Sequence, residues 1–260
     1  MNLSYLEKIF SLDGKVSVVT GGSRGLGKGI AHALLKAGSK VVIVGRDNNR
    51  LENTVNEFKD EGLLAFGYQS DVGKRDEINK LFEYVNNDFG SIDVLVNNAG
   101  VTQSAPLTEY PDEVWWQTLS VDLYAPFALC RVFSPLMAKN EGGSIINITS
   151  INAERGFSDN PAYAASKGGL RQLTNALAND LAASNIRVNT VGPGYMRTDM
   201  TLKSWEDTER RSKLEERTML GRWGLPDDLA GITLLLASEA SSYITGQHIY
   251  VDGGWLAKGM

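Results

Sequence analysis

The chain has 260 residues, 42% of them hydrophobic, with 27 glycines and a formal net charge of -5. That length suits one large core, and an acidic pI of about 5.2 argues against nucleic acid or an anionic membrane as partner. The one cysteine, Cys130, has no partner for an internal disulfide, no apolar run reads as long enough to cross a bilayer, and Met1 to Lys15 lacks the basic start and apolar centre of a signal peptide; the expectation is a cytoplasmic protein.

Short β-branched runs alternate with longer helical patterns. Val16–Thr20 predicts the first strand, and Thr20-Gly21-Gly22-Ser23-Arg24-Gly25-Leu26-Gly27 follows it into a predicted helix. Glycines there let the backbone turn tightly and approach a pyrophosphate, whose charge a helix N-terminus stabilises. The spacing Gly-x-x-x-Gly-x-Gly differs from the Gly-x-Gly-x-x-Gly of most dinucleotide folds. Lys40–Val44 predicts the second strand, which runs into Gly45-Arg46 with no carboxylate before Asp47. A carboxylate at that strand end would bind a ribose 2′-hydroxyl and repel a 2′-phosphate. Arg46, with Arg24 in the glycine-rich turn, suits a 2′-phosphate, so NADP(H) is expected over NAD(H).

Further strands are predicted at Ala65–Gln69, Val94–Asn97, Ser144–Thr149, Arg187–Val191 and His248–Val251. Between them, Ile78, Leu81, Phe82, Val85 and Phe89 keep a helical period, as do Leu170, Leu173, Thr174, Leu177 and Leu181. A long helix is predicted over Pro111–Ala138, with Trp115 and Trp116 packing in the core or against another subunit. The charged stretch Tyr195–Arg222 reads as a solvated helix pair placed where a lid would sit, and Asp227-Asp228 starts the next helix. Strand–helix alternation without a linker or repeat argues one α/β domain, residues 1–260, with a parallel sheet covered on both faces. His32 and His248 have no metal-ligand spacing, so no metal site is expected.

Tyr163-Ala-Ala-Ser-Lys167 places a phenol and an ammonium four residues apart, on one face of a helix. A free tyrosine, with a pKa of about 10, is a poor base near neutrality; a cation one turn away favours tyrosinate. Tyr163 would then exchange a proton with an alcohol or ketone, and Ser150, at the end of an apolar run, would orient the reacting oxygen.

With the motifs Thr20–Gly27, Asp71-Val72, Asn97-Asn98-Ala99-Gly100, Ser150, Tyr163–Lys167 and Pro193-Gly194 in view, the chain resembles the short-chain dehydrogenase/reductase family over nearly its whole length. The resemblance implies a doubly wound, Rossmann-type sheet of about seven strands, and commonly a homotetramer. By resemblance, Gly21, Ser23, Arg24, Gly25, Leu26 and Gly27 cradle the cofactor phosphates, and Asp71 and Val72 contact the adenine. Asn98, Ala99 and Gly100 line the groove, Tyr163 and Lys167 meet the nicotinamide ribose, and Pro193, Gly194, Met196 and Thr198 approach the nicotinamide. Phe10–Lys15, Gly221–Pro226 and Val251–Ala257 are similar to the gluconate 5-dehydrogenase and 2-deoxy-gluconate 3-dehydrogenase subgroup.

Two departures stand out. The family usually places a fourth catalytic residue, Asn, in a Val-Asn-Leu setting; here it is Val121-Asp122-Leu123. Sugar-acid members often carry basic residues after Asn-Asn-Ala-Gly, whereas here Val101-Thr102-Gln103-Ser104 follows. Arg155 could replace that cation, and Gln103, Asn152 and Tyr195 are the other candidate substrate contacts. The expected function is NADP(H)-dependent interconversion of a ketone and a secondary alcohol on a sugar, sugar acid or polyol. Reduction of a 3-oxoacyl thioester on the acyl carrier protein is the alternative, and a catalytically weak NADP(H)-binding sensor or scaffold is the third.

Overall fold

A computed structural model describes residues 3–259. Seven strands form one parallel sheet: β1 (Val16–Thr20), β2 (Lys40–Gly45), β3 (Ala65–Gln69), β4 (Val94–Asn97), β5 (Gly143–Ile148), β6 (Ile186–Pro193) and β7 (His248–Val251), in the order β3-β2-β1-β4-β5-β6-β7. Strand order reverses between β1 and β4, and a crevice opens there at the carboxyl ends of the strands. Four strands have the bounds read from the sequence. β6 runs further, because Gly192 and Pro193 pair with Tyr250 and Val251.

The helices are α1 (Leu3–Phe10), α2 (Gly25–Lys36), α3 (Asn48–Asp60), α4 (Arg75–Phe89), α5 (Asp112–Leu119), α6 (Ala125–Lys139), α7 (Pro161–Leu181), α8 (Leu202–Glu206), α9 (Thr208–Arg217) and α10 (Ala230–Ala237). Side-chain alternation sends Val41 and Ile43 of β2 to one face and Val42 and Val44 to the other. The first face packs Leu34 of α2, Phe58 of α3 and Leu236 of α10; the second packs Leu81 of α4, Phe133 of α6 and Ala178 of α7. Burying each large aliphatic side chain contributes about 1.5–3 kcal/mol, so both faces must be covered for the apolar strands to be stable in water.

The long helix predicted over 111–138 is found over 112–139, but the turn Ser120–Tyr124 is a π-helix. Its cause is in the sequence. Pro126 has no N–H to give the carbonyl of Asp122, and Ala125 donates five residues back to Ser120. The resulting wide turn carries Asp122. By length and composition this helix could cross a membrane, which departs from the reading that no run could; 56% of its most apolar stretch is buried inside the fold. Trp116 is exposed and Trp115 half-buried, so neither is a core anchor.

Candidate active site

The crevice is a cavity of about 760 Å³ running along the carboxyl ends of the strands. Every residue expected to hold the dinucleotide lines it: Gly21, Ser23, Arg24, Gly25, Leu26, Gly27, Arg46, Asp71, Val72, Asn98, Ala99, Gly100, Tyr163, Lys167, Pro193, Gly194, Met196 and Thr198. Ser150 and Asn152 join them, whereas Asp122, Gln103, Arg155 and Tyr195 do not.

At the β1 end, Gly25 has a φ of +52°, a conformation that favours glycine, and it opens α2. A Cβ on Gly27 would collide with the Gly21 carbonyl and the Asn98 amide. Asn98 stitches this turn to β4: its amide donates to the carbonyls of Thr20 (2.9 Å) and Gly21 (3.2 Å). In return, Thr20 Oγ1 accepts from the backbone N–H groups of Asn98 (3.0 Å) and Ala99 (3.1 Å). No side chain caps the N-terminus of α2, so its first amides remain available to an anion. A dinucleotide's pyrophosphate fits that donor set.

Beyond the end of β2, Arg24, Arg46 and Arg50 all line the cavity. Arg24 and Arg50 share Asp199 at 3.3 and 3.4 Å. Asp47 also lines the cavity, and its Oδ1 caps α3 by accepting from Arg50 N at 3.0 Å. Arg50 was not singled out from the sequence; it lies in the first turn of α3, just after the loop that carries Arg46. The cluster offers guanidinium groups to a 2′-phosphate.

The reacting end is assembled by a buried hydrogen-bond chain. Asn97 of β4 donates to Asn147 of β5 (2.8 Å), and Asn147 donates to Thr174 of α7 (2.9 Å). This ties the helix that carries Tyr163 and Lys167 to the strand that leads to Ser150. Ser150 Oγ accepts from Asn152 N at 3.1 Å, which leaves its own proton to give away. Lys167 is 3% exposed; its ammonium donates to the carbonyl of Ile148 at 3.1 Å and lies 5.3 Å from the centre of the Tyr163 ring.

Asp122 is 0% exposed and sits behind the groove wall. A Cβ on Gly100 would come within 3.0 Å of its Oδ2. Oδ1 accepts from Val101 N at 2.8 Å, and Oδ2 lies 3.1 Å from the Lys167 ammonium, an ion pair whose angle falls short of hydrogen-bond geometry. Burial pulls the Lys167 pKa down, but Asp122 and Tyr163 outweigh it and hold the ammonium above its ordinary value. Burial raises Asp122, against the pull of Lys167 and the Val101 N–H. With an ammonium at 3.1 Å we read the pair as ionised. Tyr163 is raised as well, by burial first; Lys167 and a hydrogen bond with Ser150 pull it down, while Asp122 pushes it up. The expectation that Lys167 would favour tyrosinate therefore holds for Lys167 taken singly and is outweighed in the assembled site.

A sequence model of the family described as enoyl-(acyl carrier protein) reductase matches residues 21–256. The chain is a member of the short-chain dehydrogenase/reductase family. It is 42% identical to the 2-dehydro-3-deoxy-D-gluconate 5-dehydrogenase of Pseudoalteromonas atlantica, over 97% of this chain and 100% of that one. It is 37% identical to the 5-keto-D-gluconate 5-reductase of Escherichia coli K12, over 96% of this chain and 99% of the relative. The crystal structure of a gluconate 5-dehydrogenase from Burkholderia cenocepacia in complex with NADP and tartrate superposes with a TM-score of 0.94 at 33% identity, covering 98% of this chain and 100% of that one. Members such as these are dehydrogenases and reductases, and the chain is an oxidoreductase of this family acting on CH–OH groups.

Among the residues expected to meet the substrate, this family member brings only Ser150 and Asn152 to the cavity. Gln103 and Arg155 are exposed loop residues away from it. Tyr195 is turned into an aromatic cluster, 5.5 Å from Trp223 and 6.3 Å from Trp255. Trp255 is itself 8% exposed. Instead, the cavity draws Thr102, Ser104, Asn160, Ser204 and Arg210, none of them anticipated. Arg210 comes from α9, whose mostly polar sequence gave no sign of which side faces inward.

Proposed function

We propose that this chain catalyses NADP(H)-dependent interconversion of a ketone and a secondary alcohol on a sugar acid, with Tyr163 as general acid/base. The observation that carries the reading is the convergence of Ser150, Tyr163 and Lys167 on one cavity that also holds an arginine cluster. Bound NADP(H) would supply or remove the hydride at the carbonyl carbon. Gly21 to Gly27 and the free amides of α2 would hold its pyrophosphate, and Arg24, Arg46 and Arg50 its 2′-phosphate. Ser150 gives its proton as a hydrogen bond to the substrate oxygen and fixes its position. Tyr163 passes a proton to that oxygen in reduction and takes it back in oxidation. Lys167, held by Ile148 and Asp122, keeps a positive charge beside the phenol.

Segment 195–222 serves as the substrate lid. It is fastened by Trp205, whose ring meets the guanidinium groups of Arg197 (4.8 Å) and Arg211 (5.0 Å) and packs against Trp223 (5.5 Å). From it Arg210 faces the cavity with no ion pair among the described residues, and its charge is felt by Tyr195 in the aromatic cluster beside the site. It supplies the cation missing after Asn-Asn-Ala-Gly and suits a carboxylate. Thr102, Ser104, Asn152 and Asn160 suit hydroxyl groups. That polar lining, beneath a lid helix with no buried residue, fits a sugar acid better than an acyl thioester. A cytoplasmic homo-oligomer, with the exposed Trp116 and Phe127 at a subunit contact, completes the proposal.

The test is NADPH oxidation with keto-sugar acids, neutral keto-sugars and an acetoacetyl thioester side by side. Turnover of the keto-sugar acids is expected to exceed the other two. Preferred turnover of the thioester, or none on any ketone, would overturn the reading.

A further inference from the structure

The Asp122–Lys167 pair has a consequence beyond that reading of the function. Among the described residues, Lys167 of α7 and Asp122 of the π-turn are the charged groups that act on Tyr163; Ser150 acts on it as a neutral hydrogen-bond partner. An ammonium has three donors. One goes to the Ile148 carbonyl and a second side of the ammonium faces Asp122 Oδ2 at 3.1 Å, so Lys167 is held from behind by β5 and the π-turn. Asp122 is held in turn: its other oxygen accepts from Val101 N, and its backbone lies in the wide turn that Pro126 imposes. A carboxylate and not a carboxamide at this place matters. An Asn Nδ2 facing an ammonium would set donor against donor, whereas the carboxylate draws the ammonium into direct contact and places a compensating charge beside the one Tyr163 depends on.

We propose that Asp122 is a positioning residue that anchors the Lys167 ammonium by direct ion pairing and offsets part of its field at Tyr163, which sets the site as a proton donor for ketone reduction. The inference concerns the proton affinity of Tyr163 and takes the proposed acid/base role as its setting. With Lys167 protonated and still held by the Ile148 carbonyl, a negative charge near the phenol disfavours tyrosinate, so a neutral residue at position 122 makes Tyr163 more acidic. The direction of the Tyr163 shift agrees, with Asp122 acting to raise it.

The experiment is a near-ultraviolet tyrosinate titration of the apo protein, taken as the difference between each protein and its Tyr163→Phe counterpart. Asp122→Asn is expected to move the Tyr163 transition to lower pH by about one unit or more. Asp122→Ala should move it the same way, which guards against failure of one variant to fold, with thermal unfolding run alongside. In the assay, the alkaline fall of NADPH-dependent reduction should move to lower pH in parallel for both. An unmoved transition, or one moved upward, in folded variants would overturn the proposal. Because the titration needs neither cofactor nor substrate, its outcome stands even if no keto-sugar acid is turned over, and that second failure would fall on the proposed function alone.

Discussion

The two halves of the cavity are built on different principles. The half that would hold the dinucleotide is made of strand ends and of turns locked by backbone contacts: Thr20, Gly21, Asn98 and Ala99 are joined by four hydrogen bonds. The half that would hold the substrate is closed by α8 and α9, which have no buried residue and stay in place through aromatic and guanidinium contacts at their edges. In the first half, position follows from backbone geometry and tolerates little. In the second, specificity rests on a few long side chains carried by a polar surface. A chain can keep the first half while changing its substrate through the second.

The largest expected effect lies where the two halves meet. Tyr163→Phe removes the group proposed to exchange a proton with the reacting oxygen, and general acid–base catalysis is worth about 10²–10⁴-fold. Turnover should fall by about that factor while NADPH affinity, measured by fluorescence titration, stays near wild type. Retained turnover would break the assignment of the acid. The first half is probed by Arg46→Ala combined with Arg50→Ala. Removing charge-assisted hydrogen bonds to a 2′-phosphate should lower kcat/KM for NADPH by about 10–100-fold and leave NADH nearly unchanged. Equal losses with both cofactors would mean that the arginines support the fold and not the phosphate.

The same contrast governs what could be read from the sequence. All seven strands were legible as short β-branched or aromatic runs, and the clearest were central ones such as Val41–Val44, buried on both faces and apolar throughout. The dinucleotide side was legible because glycine positions report backbone geometry directly. The π-turn at Ser120–Tyr124 was not, since a proline near the start of a helix usually has an ordinary role, and only its register with Asp122 reveals the freed carbonyl. The substrate side was the least legible. Gln103, Arg155 and Tyr195 are polar or aromatic residues close in sequence to the catalytic ones, but proximity along a loop does not fix orientation. Arg210 is one of several charged residues in α9, and only the packing of Trp205 decides that it, and not Arg211, turns to the cavity.

On the lid, Arg210→Ala should raise KM for a keto-sugar acid by about tenfold, the worth of one charge-assisted contact at a partly hydrated site. Steady-state kinetics should show kcat and the KM for NADPH within about twofold of wild type, with a neutral keto-sugar unaffected. An equal effect on the neutral sugar would mean that Arg210 shapes the lid and does not read the carboxylate.

The smallest effect tests how the lid's far end is moored. Arg222 forms a two-pronged pair with Asp228 at 2.8 and 2.9 Å, and Asp228 also accepts from Leu225 N at 2.7 Å, where the chain enters α10. The Arg222 guanidinium first, and then the Leu225 N–H, hold the Asp228 carboxyl down to about 2. A folded pKa below the unfolded value of about 3.9 gives stability that is present above the unfolded value and is lost as pH falls toward the folded one. The pair is partly exposed, with 52% of the Arg222 and 31% of the Asp228 side chain accessible, so most of its Coulombic attraction is screened. Asp228→Asn should lower Tm by about 1–3 °C at neutral pH, and the wild-type and variant curves should converge between about pH 4 and pH 2. Because Leu225 and Arg222 join the lid to the first face of the core, a larger loss at neutral pH would show that the lid is part of the cooperative unit and not an appendage to it.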